Sequence, residues 1–152
     1  MGNNRIQKFN SAGTFITKWG TAGAGDGQFK VPVGVTADLS NNIYVTERTN
    51  NRIQKFNSAG TFITKWGTAG AGNGQFNDPF DIAFDLDSGV YVSDKGNHRV
   101  QKFDLSGGYL VQWGGFGSGN GQFNNPTGIG VDSSSNIYVA ESGNHRVQKF
   151  AP

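Results

Sequence analysis

Asn50-Asn51-Arg52-Ile53-Gln54-Lys55-Phe56 is the stretch that decides how this chain is built. The same seven letters stand at Asn3 to Phe9, and the variant NHRVQKF stands at Asn97 to Phe103 and again at Asn144 to Phe150. Each copy begins 47 residues after the one before it, with no insertion or deletion between them. A fixed period of a few tens of residues marks a repeat architecture. Three full repeats run 3–49, 50–96 and 97–143, and the opening strand of a fourth follows at 144–150. Residues 3–25 and 50–72 are identical, with the first mismatch at Asp26 against Asn73. Identity of that extent marks recent duplication or deliberate construction.

Working outward from Arg52–Phe56, each repeat resolves into short runs rich in β-branched and aromatic residues, bounded by turn formers. VGVTAD (Val33 to Asp38) precedes the turn Ser40-Asn41-Asn42, and IYVTE (Ile43 to Glu47) follows it. After the loop Arg48–Asn51 come RIQKF (Arg52 to Phe56), the turn Asn57–Gly60 and TFITKW (Thr61 to Trp66). These are strand positions A, B, C and D. Connections of about four residues favour antiparallel hairpins. The link from D to the next A is longer and glycine-rich, as in Gly20 to Pro32, Gly67 to Pro79 and Gly114 to Pro126. A four-stranded antiparallel unit with this spacing reads as a β-propeller blade. No segment carries a helical apolar period, so the chain is all-β.

These residues resemble the NHL repeat family of β-propellers. The likeness lies in P-x-G-[IV] at Pro32–Val35 and Pro126–Ile129, in IYV-[AT]-E at Ile43–Glu47 and Ile137–Glu141, and in NHRVQKF at Asn97–Phe103 and Asn144–Phe150. The copy in the middle departs from it at Asp81, where the others have Gly34 and Gly128. The resemblance implies six-bladed propellers that serve mainly as binding platforms, with an enzymatic minority and some members that bind RNA on a basic face.

Composition excludes several classes. The 152 residues contain no cysteine, which removes disulfides, thiolate nucleophiles and cysteine-ligated zinc. No run of apolar residues is long enough for a membrane helix. No charged start followed by an apolar stretch marks a signal peptide, and the compartment stays open. A formal charge of +2 gives little electrostatic drive toward nucleic acid. Glycine is abundant, with 24 residues, but 12 Phe, 4 Tyr and 3 Trp argue for a packed core rather than disorder.

Closed propellers need about four to eight blades, more than the three repeats counted here. An open arc leaves two apolar blade faces uncovered. At ~500 Å² each, the gross loss is ~12 kcal/mol per face, an upper bound. Two copies would supply six blades by a twofold arrangement, the commonest oligomer symmetry. The expectation is therefore a homodimer joined through its N- and C-terminal blade edges. Position C occurs four times (5–9, 52–56, 99–103, 146–150) and the other positions three times, so the seam blade mixes strands of both copies and one C strand is spare. The start and stop of the chain also resemble those of a fragment.

Chemistry-bearing residues are few. The D–A and B–C loops share one face of mixed charge, which collects Lys30, Arg48, Lys95, His98 and His145 with Asp26, Glu47, Asp78, Asp94 and Glu141; the A–B and C–D loops share the other, which leans acidic through Asp38, Asp85, Asp87, Asp104 and Asp132. Glu47–Arg52, Asp94–Arg99 and Glu141–Arg146, each five apart across a B–C hairpin, read as a repeated structural ion pair rather than a phosphate track. The glycine-rich links match neither a dinucleotide fingerprint nor a Walker loop and read as turns around Asp26-Gly27, Asn73-Gly74 and Asn120-Gly121. His98 and His145 lack the convergent ligands zinc requires. Asp81 is the acidic residue at the start of a strand A, where it could face the central channel. Trp19, Trp66 and Trp113, with Phe29, Phe76 and Phe123, read as core between blades. The sequence thus points to a non-catalytic interaction or structural scaffold with no cofactor, no metal and no membrane, and with itself, or another protein, as partner. The alternatives are a ligand- or metal-binding propeller with a lactonase- or lyase-like channel site, and an RNA-binding domain.

Overall fold

The computed structural model describes residues 2–152. The chain opens with an isolated antiparallel pair, β1 (Ile6–Phe9) and β2 (Phe15–Trp19). The short strands β3 (Thr21–Ala22) and β4 (Gln28–Phe29) follow within the first glycine-rich link. The first complete blade is β5 (Pro32–Ala37), β6 (Ile43–Glu47), β7 (Arg52–Phe56) and β8 (Phe62–Trp66). After β9 (Thr68–Ala69) and β10 (Gln75–Phe76) comes the second: β11 (Pro79–Phe84), β12 (Val90–Asp94), β13 (Arg99–Phe103) and β14 (Tyr109–Gly114). The last sheet has three strands, β15 (Pro126–Val131), β16 (Ile137–Glu141) and β17 (Arg146–Phe150). Helical structure is confined to one 3₁₀ turn at Lys95–Asn97 among the described residues.

Strand positions B and C fall where the runs of β-formers place them, to the residue, at Ile43–Glu47 and Arg52–Phe56. The links differ from simple loops. Thr21–Ala22 pairs in parallel with Gln28–Phe29, and Thr68–Ala69 with Gln75–Phe76, so each link folds back on itself. Gly27, Gly74 and Gly121 sit at φ of 74°, 72° and 76°, the left-handed region that the Asp/Asn-Gly turns require.

Packing between blades repeats with the chain. The ring of a D-strand tryptophan lies beside the last phenylalanine of the next C strand: Trp19–Phe56, Trp66–Phe103 and Trp113–Phe150, with centroids 6.0, 6.0 and 5.9 Å apart. A link phenylalanine completes each trio, at 5.6 Å for Phe29–Phe56 and Phe76–Phe103 and 5.7 Å for Phe123–Phe150. Phe29, Phe56, Phe76, Phe103 and Phe123 are fully buried. The aromatic repeat is thus the core between blades, as the sequence spacing requires.

Candidate functional site

Strand position A of all three blades lines one concave surface, a cavity of about 580 Å³ bordered by Val35, Asp81, Ile82, Ala83, Ile129 and Val131. Asp81 stands on this wall, half-buried. Its Oδ1 accepts the N–H of Ile82 at 2.9 Å, and its Oδ2 accepts the N–H of Ile129 on the neighbouring blade at 3.1 Å. The carboxylate therefore bridges two blades. In the first blade the equivalent residue must be glycine, because a Cβ at Gly34 would lie 2.9 Å from both Asp81 Cα and Phe80 O.

The acidic mouth is built from loop fasteners. Asp38 accepts the backbone N–H groups of Ser40 and Asn42 on Oδ1, and the Asn42 amide and Tyr44 hydroxyl on Oδ2. Asp132 repeats the set with Ser134, Asn136 and Tyr138. Asp85 keeps the Gly89 N–H and Tyr91 hydroxyl and draws Lys102 to 3.2 Å, closer than the 3.9 Å from Lys55 to Asp38. Hydrogen bonds from the Asn136 side chain and backbone hold the Asp132 carboxyl down at about 2. Burial opposes ionisation of Asp38 and Asp85, yet the same kind of bonds keeps both below the ordinary carboxylate range. The sequence carried a signal for this arrangement in the six-residue spacing from each aspartate to its tyrosine.

At the opposite mouth the structure gathers two of the predicted basic residues. Arg48 is paired with Asp78 through two guanidinium nitrogens, and Lys95 Nζ lies 3.4 Å from Asp78 Oδ2. Both cations stand over the Phe80 ring, 5.3 and 5.4 Å from its centroid. His98 is held elsewhere. Its Nδ1 accepts the N–H of Asn125 at 3.2 Å, and its ring meets Phe116 edge-on with centroids 5.0 Å apart. Asn51 and Asn4 make the same tether with Oδ1, to the N–H groups of Asp78 and Val31. His145, the fourth residue in this series, is exposed on the last sheet. All four share positive φ, from 44° to 54°. His98 thus serves as a blade-to-link tether, and no group of three potential metal ligands occurs among the described residues.

Between B and C strands the expected ion pairs are present. Arg52 Nε meets Glu47 at 2.5 Å, and Arg99 and Arg146 meet Asp94 and Glu141 at 2.7 Å. Each arginine also donates to three carbonyls of the link before it; for Arg52 these are Ala24, Gly25 and Gln28. The link N–H groups are taken as well, Gly25 by Gln28 and Gly27 by Gln54. With the N–H groups of Gly23, Gly25, Gly27 and Gln28 bonded within the protein, the link offers no cradle of convergent free donors of the kind that holds a phosphate. Sequence reading found the ion pair and put Asp78 on the same face as Arg48 and Lys95, but missed the arginines' hold on the links and the convergence of both cations on Asp78.

A family profile described as a 6-bladed beta-propeller matches residues 31–112, more than half of the chain, and an NHL repeat profile matches residues 123–150. The chain belongs to this 6-bladed beta-propeller family and carries the NHL repeat. No curated protein sequence matches it. Among solved structures it is similar to virginiamycin B lyase from Staphylococcus aureus, with 16% identity and a TM-score of 0.65 over 98% of this chain and 49% of the lyase. A streptogramin B lyase aligns at 18% identity and TM-score 0.68, covering 99% and 48% of the two chains. A Bacteroides thetaiotaomicron protein of unknown function aligns at 18% identity and TM-score 0.80, covering 98% and 42%. The chain spans about half the length of these structures, and the likeness is one of fold.

Proposed function

We propose that this chain is a non-catalytic propeller scaffold whose ring is completed by a second copy of itself. One observation carries the reading. The last sheet lacks strand position D, and the N-terminal pair β1–β2 holds positions C and D with no A or B beside them. Each end of the arc has what the other end lacks. Val147 on β17 is 63% exposed, whereas its counterparts Ile53 and Val100 are fully buried. An uncovered strand edge of this kind is a template for pairing with another chain. The matched family has six blades, the number two such arcs supply.

The lyase-like alternative draws support from the fold of its neighbours alone, and fold does not imply function. The channel aspartate of this chain is spent on two backbone N–H groups. RNA binding fits less well, because Arg52, Arg99 and Arg146 are committed to carboxylates and link carbonyls, and Arg48 and Lys95 to Asp78. Mass in solution tests the scaffold reading. The expected species has twice the 16.2 kDa of one chain. A folded monomer at micromolar concentration overturns it.

A further inference from the structure

A cleft of about 560 Å³ lies where the second blade meets the last sheet, with Val111, Trp113, Ile137, Phe150 and Lys102 on its walls. Inside the chain the corresponding place is filled twice by the same element, the turn between strand positions C and D of the following blade. Gly60 of the turn Asn57–Gly60 lies against Trp19, so close that a Cβ there would come within 2.6 Å of the indole. Gly107 lies against Trp66 in the same way, at 2.5 Å. Next to each glycine an aromatic residue meets the last ring of strand C edge-on: Phe62 on Phe56 at 6.1 Å and Tyr109 on Phe103 at 6.2 Å. At Trp113 the series stops, because the last sheet has no D strand and no C–D turn. The matching turn exists at the other end of the chain, where Gly13 has a φ of 77° and nothing within 4 Å of its would-be Cβ.

We infer that the Trp113 cleft is the seat for residues Ala12–Trp19 of a second copy, with Gly13 on the indole and β2 paired to the open edge of β17. This inference rests on the ring reading and names the surface that closes it. It also assigns the spare C strand. β17 is laddered to β16 over five residue pairs, and Arg146 and Gln148 bond to Glu141 and to the link before the sheet. β1 pairs with β2 alone among the described strands, and the buried Nε of Arg5 has no hydrogen-bond partner among the described residues. Ala151 and Pro152 stand at the positions of Asn10 and Ser11 in the repeat, three periods on, so the segment taken from the other copy begins at Ala12. On closure β2 exchanges β1 for β17, and β1 is released.

Gly13→Asn tests the seat in the full chain. Asparagine tolerates positive φ, so the free chain keeps its fold, while the added Cβ strikes Trp113 of the other copy. Sedimentation should show the variant dimerising at least 10-fold more weakly than the parent, with an unchanged circular dichroism spectrum. A monomeric parent overturns the ring reading; a dimeric parent with an equally tight Gly13→Asn dimer overturns the cleft assignment alone. A second variant reads the exchange. Lys8 faces Thr17, Lys55 faces Thr64 and Lys102 faces Val111, so Lys149 should face Thr17 of the other copy. The chain has no cysteine, so Lys149→Cys with Thr17→Cys should oxidise to a covalent dimer. A dimer that fails to cross-link keeps β1, and not β17, beside β2 and overturns the exchange. An apolar dye bound in the cleft of the wild-type dimer would show the cleft open and overturns the docking.

Discussion

β13 and β17 carry the same five residues, Arg-Val-Gln-Lys-Phe, in the same register against their B strands, yet they live in different surroundings. In β13 the next strand, β14, covers the outer edge, and the Arg99 and Asp94 side chains are 8% and 0% exposed. In β17 no described strand covers the outer edge, and the Arg146 side chain is 27% exposed. The acids respond in opposite directions. Burial pushes the Asp94 carboxyl up despite its hydrogen bonds. Glu141 feels burial too, but bonds from Arg146, the Asn124 N–H, Asn144 and Gln148 outweigh it and hold the carboxyl down. One motif therefore gives a sealed pair or a wetter pair according to whether strand position D is filled.

The comparison breaks most visibly at the arginines. Arg99→Ala leaves Asp94 buried without its cation and strips three link carbonyls of a donor. Removing one partner of a buried pair costs about 3–5 kcal/mol. Arg146→Ala removes the same bonds at an edge that water reaches, and about 1–2 kcal/mol is expected there. Urea unfolding of monomeric protein should rank Arg99→Ala well below Arg146→Ala. Equal losses would show that the missing D strand does not matter to the pair.

Glycines that meet tryptophans supply the next contrast. Gly107→Asn forces a Cβ into the Trp66 ring, and overpacking of this kind costs about 1–3 kcal/mol. The same change at Gly13 has open space and should leave the thermal midpoint of the monomer unchanged. Thermal melts of the two variants, taken at a concentration where the chain is monomeric, read the difference directly.

Acidity sharpens the comparison between the two mouths of the arc. Asp132 is held at about 2, against an ordinary 3.8, and Asp38 and Asp85 are also lowered. A depressed folded-state carboxyl contributes stability that is complete above its unfolded value and is lost as pH falls through its folded value. Stability should therefore drop between about pH 4 and pH 2 as the A–B loops lose their acceptors. Asp94 works in reverse: its raised carboxyl contributes stability that is complete below the unfolded value near 3.8 and is lost as pH rises from there through its folded value. Asp132→Asn should flatten the acid limb of a pH–stability profile, and an unchanged limb would remove the A–B aspartates from acid unfolding.

Much of this was legible in the letters because the repeat shows each signal three times. β-branched runs bounded by Asn, Ser and Gly fix the B and C strands, and Glu47 and Arg52 must meet because a short hairpin joins them. Contacts made between blades were not legible. The carbonyls that Arg52 grips lie 24 to 28 residues upstream, in a link whose parallel self-pairing leaves no periodic trace. Asp81 read as a channel carboxylate because the sequence places it on strand A but does not say that Ile129, 48 residues on, presents an N–H to it. Asp78 looked like one more loop acid until Arg48 and Lys95 converged on it.

A hydroxyl series shows the same effect on its smallest scale and yields the last test. Thr46 Oγ1 accepts the Gly34 N–H at 2.8 Å and donates to Phe80 O of the next blade at 2.9 Å. Ser93 Oγ repeats this with the Asp81 N–H at 2.9 Å and Thr127 O at 3.0 Å. The third position is Ala140, so the last sheet carries no such donor toward a following blade. In a closed ring, the strand-A carbonyl of the next copy then goes without the bond its counterparts receive. Ala140→Thr supplies it at a site whose backbone neighbour is glycine, as at Gly34. A net hydrogen bond is worth about 1 kcal/mol, so each seam should tighten about 5-fold. Thr46→Ala, which removes the same bond inside the arc, should lower the stability of the monomer by a similar amount and leave the seam unchanged. Dimer dissociation constants and monomer unfolding, measured on both variants, separate a bond made within one copy from a bond made between two.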